Sequence, residues 1–220
     1  MTRGVRMVML GRQGAGKGTQ CVRLSRHYVV PHISTGDMLR AAVREGTPLG
    51  RKASEIMSAG GLVPDDLMIG IVDERLDRDD TTSRGYILDG FPRTVGQAEA
   101  LAEITSSRPL DVVIDLDVAK DVVLERLAGR RVCDDCQANY SIDAPPKYGW
   151  VCDNCGGDVV QREDDTPAAI EMRLAEYETN TAPLIEWYGE RNLLEVIDGW
   201  GRTDHVTSKL FSVIDKRRSS

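Results

Sequence analysis

Three groups of residues in this sequence have the types and spacing to do chemistry. The first is the run Gly11-Arg12-Gln13-Gly14-Ala15-Gly16-Lys17-Gly18-Thr19. Glycines tolerate positive φ, so successive backbone N–H groups can turn inward onto one anion. A helix beginning at the end of such a loop adds partial positive charge. Lys17 adds a full charge that can reach the β- and γ-phosphates of a nucleotide. The strict form of this loop has Ser or Thr directly after the lysine. Here that position is Gly18 and the hydroxyl follows on Thr19, so a Mg²⁺ ion is expected to be held mainly by phosphate and water. The bland alternative is a tight structural turn, which the lysine and the strand–helix setting argue against.

The second group is Cys133-x2-Cys136-x15-Cys152-x2-Cys155. Two paired knuckles supply four soft ligands, the pattern of a closed structural zinc site with no open position for catalysis. Two disulfides are the competing reading, disfavoured in a chain that reads as cytoplasmic. The segment is about 35 residues, too small for a core of its own, and metal binding can supply the missing folding energy. Tyr140, Tyr148 and Trp150 are candidates to pack around it. The fifth cysteine, Cys21, follows the glycine loop and reads as a packed core thiol. The third group is a set of arginines at the ends of five separate segments, of the kind that binds phosphate bidentately. The three histidines, His27, His32 and His205, have no triad-like context.

These groups must be positioned by something. Short apolar runs at 5–10, 29–33, 85–89, 112–116 and 193–197 read as strands. Helical patterns lie between them: 19–28, 34/35–44, 51–59, 64–78, 119–127, one long helix over 167–187, and 203–216. Gly46, Pro48 and Gly50 read as breakers. Strands alternating with helices mean βαβ units around a parallel sheet. Residues 132–160 differ in texture, rich in Asp, Asn, Gly and Pro, and mark an insertion. Asp89 falls at the C-terminal end of its strand, where open α/β sheets bind ligands. Pro92 restrains Phe91 and helps to aim Arg93.

Composition sets limits. The chain has 220 residues, 41% of them hydrophobic and 29% charged, with 28 basic against 35 acidic side chains and a net charge of −7. That length suits one domain with insertions. No apolar run approaches the roughly 20 residues of a membrane span, and no secretory signal is visible. An acidic chain also lacks the basic face that nucleic-acid binding requires.

Further motifs narrow the reading. Ile33-Ser-Thr35-Gly-Asp37-Met-Leu-Arg40 and Tyr86-Ile-Leu-Asp89-Gly90-Phe91-Pro92-Arg93-x3-Gln97 resemble the signatures of the adenylate kinases. So do Lys17-Gly18-Thr19, Arg126-x3-Arg130-Arg131, Arg162-x-Asp164-Asp165, Arg173 and Thr181-Ala-Pro-Leu-Ile185, in order over about residues 5–215. The resemblance implies Mg²⁺-dependent transfer from ATP to AMP giving two ADP, in nucleotide energy balance and purine salvage. It implies a P-loop NTPase α/β fold with a five-stranded parallel sheet, its core over 1–33, 65–128 and 166–220. It implies an AMP-binding helical insertion at 34–64 and a zinc-bearing lid at 129–165. By the same resemblance, Gly14, Ala15, Gly16, Lys17, Gly18, Thr19 and Arg126 bind ATP. Thr35, Arg40, Gly90, Arg93, Gln97, Arg162 and Arg173 bind AMP, with Gln97 on the adenine edge. Lys17, Arg93, Arg130, Arg162 and Arg173 surround the transferred phosphoryl group, and Asp89 organises Mg²⁺ through water. Cys133, Cys136, Cys152 and Cys155 hold the structural Zn²⁺. A monomer acting on small nucleotides in the cytoplasm is expected.

The chain departs from the pattern twice. Arg12-Gln13 replaces the usual residue pair before Gly14, leaving the role of Arg12 open, and Asp198-Gly199-Trp200-Gly201 follows the last strand, placing Trp200 near the expected adenine. Three rival readings are a kinase for UMP/CMP or GMP, a non-kinase P-loop switch, and a zinc-ribbon nucleic-acid binder. Gln97 and the long metal-bearing lid favour AMP over the first. A base-reading Asn-Lys-x-Asp, needed by the second, is missing, and the third lacks its basic face.

Overall fold

A computed structural model describes residues 4–219. Five parallel strands form the main sheet: β1 (Arg6–Leu10), β2 (His32–Ser34), β3 (Tyr86–Asp89), β4 (Val112–Asp117) and, last in the chain, β8 (Leu194–Asp198), in spatial order β2-β3-β1-β4-β8. β1, β3 and β4 are almost wholly buried because helices cover both faces, which is why their sequences are continuous apolar runs rather than alternating ones. One face packs Met7, Met9, Ile87, Ile114 and Leu116 against α1 (Lys17–Tyr28), α7 (Lys120–Gly129), α8 (Pro167–Glu176) and α10 (Thr203–Ser219). The other packs Val8, Leu10, Leu88 and Val113 against α4 (Asp65–Leu76), α6 (Val95–Ile104) and α9 (Pro183–Gly189). Burying one such side chain contributes about 1.5–3 kcal/mol.

Two segments stand off this body. The first is the helical hairpin α2 (Thr35–Arg44) and α3 (Pro48–Ser58). Ser34 caps α2 by accepting a hydrogen bond from the Asp37 N–H, and Thr47 caps α3 through the Gly50 N–H. The second is a three-stranded antiparallel sheet of β5 (Arg130–Cys133), β6 (Asn139–Ser141) and β7 (Val159–Val160), in order β6-β5-β7, which carries the four cysteines.

Several element boundaries differ from the sequence expectation. Pro48 and Gly50 do not break a helix; Pro48 begins α3 in the first turn, where its missing N–H costs nothing. The pattern at 64–78 is α4, and the short α5 (Asp79–Arg84), absent from the expected pattern, follows it. Helix α6 has no counterpart in the expected pattern. The long helix expected over 167–187 is two helices joined by a π-turn at Tyr177–Thr181. Pro183 explains the break: its ring excludes a regular i−4 bond, and the chain widens so that the Ala182 N–H donates to the Tyr177 carbonyl at 2.8 Å.

Candidate active site

The main cleft, about 510 Å³, opens at the C-terminal ends of β1, β3, β4 and β8. The loop after β1 forms its floor. Gly11 has φ +130°, and a Cβ there would come within 2.6 Å of the Leu116 carbonyl oxygen, so glycine alone lets the loop pass this close to β4. Lys17 folds back over the loop and donates to the carbonyls of Gly11 (2.7 Å) and Arg12 (3.0 Å). Arg126 on α7 donates to the Ala15 carbonyl at 3.2 Å, with its guanidinium 6.0 Å from the Trp200 ring. Burial lowers the Lys17 pKa, partly offset by the Asp89 charge. Thr19 lies exposed at the cleft wall.

Asp89 ends β3 and faces the loop. Its Oδ2 is 3.4 Å from His32 Nε2. Burial pushes the carboxyl up, but the His32 hydrogen bond and the Lys17 charge outweigh it, and the pKa lies below the usual value. A Cβ at Gly18 would stand 3.8 Å from Asp89 Oδ2, so this residue's lack of a side chain leaves the space in front of the carboxylate open. Gly90 follows with φ +86°; a Cβ there would meet Thr35 Oγ1 at 2.9 Å and Arg93 at 3.2 Å. Thr35 Oγ1 in turn donates to the Asp89 carbonyl at 3.4 Å. The Phe91–Pro92 peptide is cis. Arg93 then turns inward, its Nε donating to the Gly90 carbonyl at 2.8 Å.

A second cavity, about 60 Å³, adjoins the first and is lined by Thr35, Arg40, Gly90, Arg93, Gln97, Arg162 and Arg173, with Leu39, Met57, Val63 and Met68 as its apolar wall. Gly36, Arg40, Gly90, Arg93, Arg162 and Arg173 line both cavities. Except for Arg93, these guanidiniums are aimed by carboxylates. Arg162 makes a bidentate pair with Asp164 (2.8 and 2.6 Å), and Arg173 reaches Asp164 at 3.4 Å and Asp165 at 3.1 Å. Arg130 grips the wholly buried Asp165 with two nitrogens. Arg40 pairs with Asp37. Burial raises the Asp164 pKa, but Arg162 and Arg173 hold it at about 2. Burial lowers Arg173 to about 10, with Asp164 opposing. Among the described residues no carboxylate forms an ion pair with Lys17, Arg93 or Arg126 of the cleft.

The structure thus brings the nucleotide-binding candidates read from the sequence to one place. Gln97 differs from expectation in detail: it is buried, its Oε1 accepting from the Arg93 N–H (2.7 Å) and its Nε2 donating to Asp65 (2.6 Å). Arg12 lies outside the lining of the cleft. It binds Glu178 at 2.9 Å, reaches Asp117 at 3.4 Å and lies over the Tyr177 ring, so it ties the loop to the π-turn. From that turn Thr181 donates to the Arg93 carbonyl at 2.9 Å. Sequence reasoning gave no role to Asp65, Asp164, Asp165 or Glu178, which hold the cationic and amide side chains in place. The Arg162-x-Asp164-Asp165 run was the available signal for two of them.

The four thiols meet in the small sheet, all Sγ atoms within 4.8 Å of one another. Cys133 and Cys155 Sγ are 3.4 Å apart, and Cys136 and Cys152 Sγ 3.5 Å apart. Such distances exceed an S–S bond of about 2.0 Å and approach the roughly 3.8 Å edge of a tetrahedron with Zn–S near 2.3 Å. The cluster is compatible with structural zinc. Tyr140 packs beside it, its hydroxyl 3.4 Å from Cys152 Sγ. Tyr148 does not; it is 81% exposed, and Trp150 is 44% exposed.

With this geometry established, likeness to known proteins is specific. The family model for adenylate kinase matches residues 9–193. The chain belongs to the adenylate kinase family. It is 52% identical to the adenylate kinase of Moorella thermoacetica, over 89% of this chain and 91% of that one. The adenylate kinases of Citrifermentans bemidjiense (50%; 94% and 98% covered) and Thermodesulfovibrio yellowstonii (45%; 97% and 100% covered) are similar along almost their whole lengths. Among the described residues, no helix is long and apolar enough to cross a membrane.

Proposed function

We propose that the chain transfers the γ-phosphoryl group of ATP to AMP, giving two ADP, as an adenylate kinase does. The observation that carries this reading is the shared wall of the two cavities. Six residues, four of them arginines, line both, so phosphates entering from either side meet the same cations. Phosphoryl transfer has a loose transition state with charge spread over equatorial oxygens, and it needs positioning and electrostatic stabilisation more than acid–base chemistry. Lys17, Arg93, Arg130, Arg162 and Arg173 serve as the catalytic cations. The loop Gly14–Thr19 and Arg126 hold ATP, and Thr35, Arg40, Gly90, Arg93, Gln97, Arg162 and Arg173 hold AMP.

Mg²⁺, when bound with ATP, would supply positive charge that neutralises the β- and γ-phosphates. Asp89 fits the task of orienting water around it, being ionised, at the mouth of the open space beside Gly18. Residues 34–64 act as the AMP-binding insertion and 129–165 as a lid, clamped by Zn²⁺ on Cys133, Cys136, Cys152 and Cys155, on a core of 1–33, 65–128 and 166–220. A cavity of about 60 Å³ is far below the roughly 300 Å³ of a nucleotide pocket, so α2–α3 must swing outward for AMP to enter. Closure then excludes water that would otherwise accept the phosphoryl group. We take the enzyme to work as a cytoplasmic monomer.

The test is to mix the protein with ATP, Mg²⁺ and one monophosphate at a time. Transfer to AMP, with little to UMP or GMP, is expected; no turnover with any monophosphate rejects the activity.

A further inference from the structure

The Cys21 thiol is fully buried, yet its neighbours are not all apolar. Cys21 lies on the second turn of α1, which packs on β2 and β3. Parallel pairing places His32 opposite Ile87 and Ser34 opposite Asp89, so alternation turns His32 and Asp89 to the same side of the sheet. Cys21 Sγ, a His32 ring nitrogen and an Asp89 carboxylate oxygen all fall within 4.8 Å of one another. Ligands around a tetrahedral zinc ion at about 2.0–2.3 Å stand roughly 3.3–3.8 Å apart. The His32–Asp89 edge already measures 3.4 Å. The edges to Cys21 need to shorten by about 1 Å or less, a small side-chain rotation.

We propose that Cys21, His32 and Asp89 form a second metal site, separate from the four-cysteine cluster, that takes a thiophilic divalent cation such as Zn²⁺ and switches the enzyme off. A mixed sulfur, nitrogen and oxygen set suits zinc and not Mg²⁺, which demands oxygen ligands in octahedral array. Three protein ligands leave one position open toward the cleft, which Asp89 lines. Binding forms the sulfur–metal bond and releases the Cys21 thiol proton to solvent. Asp89 is then drawn away from the nucleotide's Mg²⁺, and a new cation stands beside Lys17. Lys17 and Arg93 both face Asp89 and oppose the metal, so it acts as a reversible inhibitor and not a resident cofactor. The inhibitory part rests on the role of Asp89 proposed above; the binding part does not.

The experiment begins with protein carrying one zinc per chain at the four cysteines, verified by metal analysis. Equilibrium dialysis against Zn²⁺ then counts further binding. Co²⁺, which does not displace zinc from the thiolates, reports a thiolate ligand by its charge-transfer absorption. The wild-type chain is expected to take a second zinc, to show the cobalt–thiolate band, and to lose phosphoryl transfer as the site fills. Cys21→Ala should abolish the band and weaken the second zinc by at least about tenfold, since even an outer-shell change costs roughly 10–100-fold. Its zinc-free turnover should stay within about twofold of wild type. His32→Gln should weaken the second zinc likewise. One zinc per chain in the wild type, or a second zinc of equal affinity in both variants, overturns the site. Equal zinc inhibition of wild type and Cys21→Ala overturns the switch. Should the chain bind this second zinc through Cys21 but transfer no phosphoryl group, the metal site stands and the activity reading falls.

Discussion

Asp115 offers a stability test whose size follows from its surroundings. It sits in the middle of the sheet, on β4 between Leu10 of β1 and Val196 of β8, and is 4% exposed. Its Oδ1 is buried without a hydrogen-bond partner. Burial raises its pKa from 3.8 to about 6; Asp117 adds to the rise, and Lys17 and Arg12 counter it. Because the folded value is the higher one, the folded state binds more protons than the unfolded state between these pH values. Stability therefore falls as pH rises through this window. The loss is small below the unfolded pKa and complete above the folded one, reaching about 3 kcal/mol for a shift of some two units. At pH 5 it amounts to about 1.6 kcal/mol, and at pH 8 to the full value. Asp115→Asn removes the ionisation while keeping the shape. The difference in unfolding free energy between variant and wild type should grow in the variant's favour by about 1.4 kcal/mol from pH 5 to pH 8. For a chain of this size that corresponds to about 3–6 °C in the Tm difference. Every other titrating group is common to both proteins, so the change with pH isolates Asp115. Thermal or urea unfolding followed by circular dichroism measures it. A difference that stays constant from pH 5 to pH 8 would show that the fold does not raise the Asp115 pKa, and would refute the argument.

Two further predictions concern the cleft and the cysteine sheet. Arg93→Ala should lower kcat/KM for the AMP reaction by at least about 10²-fold, because a buried charge-assisted contact is worth several kcal/mol; steady-state kinetics at a wild-type level would reject its role. Cys133→Ser should lower zinc content and the thermal stability of residues 129–165 while the loop at Gly11–Thr19 stays folded, which metal analysis and hydrogen exchange can follow; full zinc stoichiometry in that variant would exclude four-thiolate coordination.

Much of the fold could be read from local signals. The five short, mostly apolar runs became five parallel strands, and the central three are almost wholly buried because helices cover both of their faces. Elements were misread where one residue has two meanings. Pro48 reads as a breaker but begins a helix, and Pro183 sits inside an apparently unbroken helical pattern yet forces a π-turn before it. Helix α6 contains Gly96 and a weakly alternating apolar pattern, and its packing against α4 and α9 stabilises it more than its own periodicity does.

The candidate site divides along the same line. Residue types and short spacings were enough to single out the phosphate loop, the four cysteines and the arginines, because backbone freedom at glycine, thiolate softness and guanidinium shape are properties of the residues themselves. What spacing could not show was the set of pairings made across long sequence distances. Asp165 grips Arg130 from 35 positions away, Glu178 holds Arg12 from 166, and Thr181 supports Arg93 from 88. Nor could it turn Cys21 and His32 toward Asp89, or raise the Asp115 pKa by burying it in the sheet. Those outcomes depend on strand order, register and burial, which set the distances and the local dielectric on which the chemistry of a charged group depends.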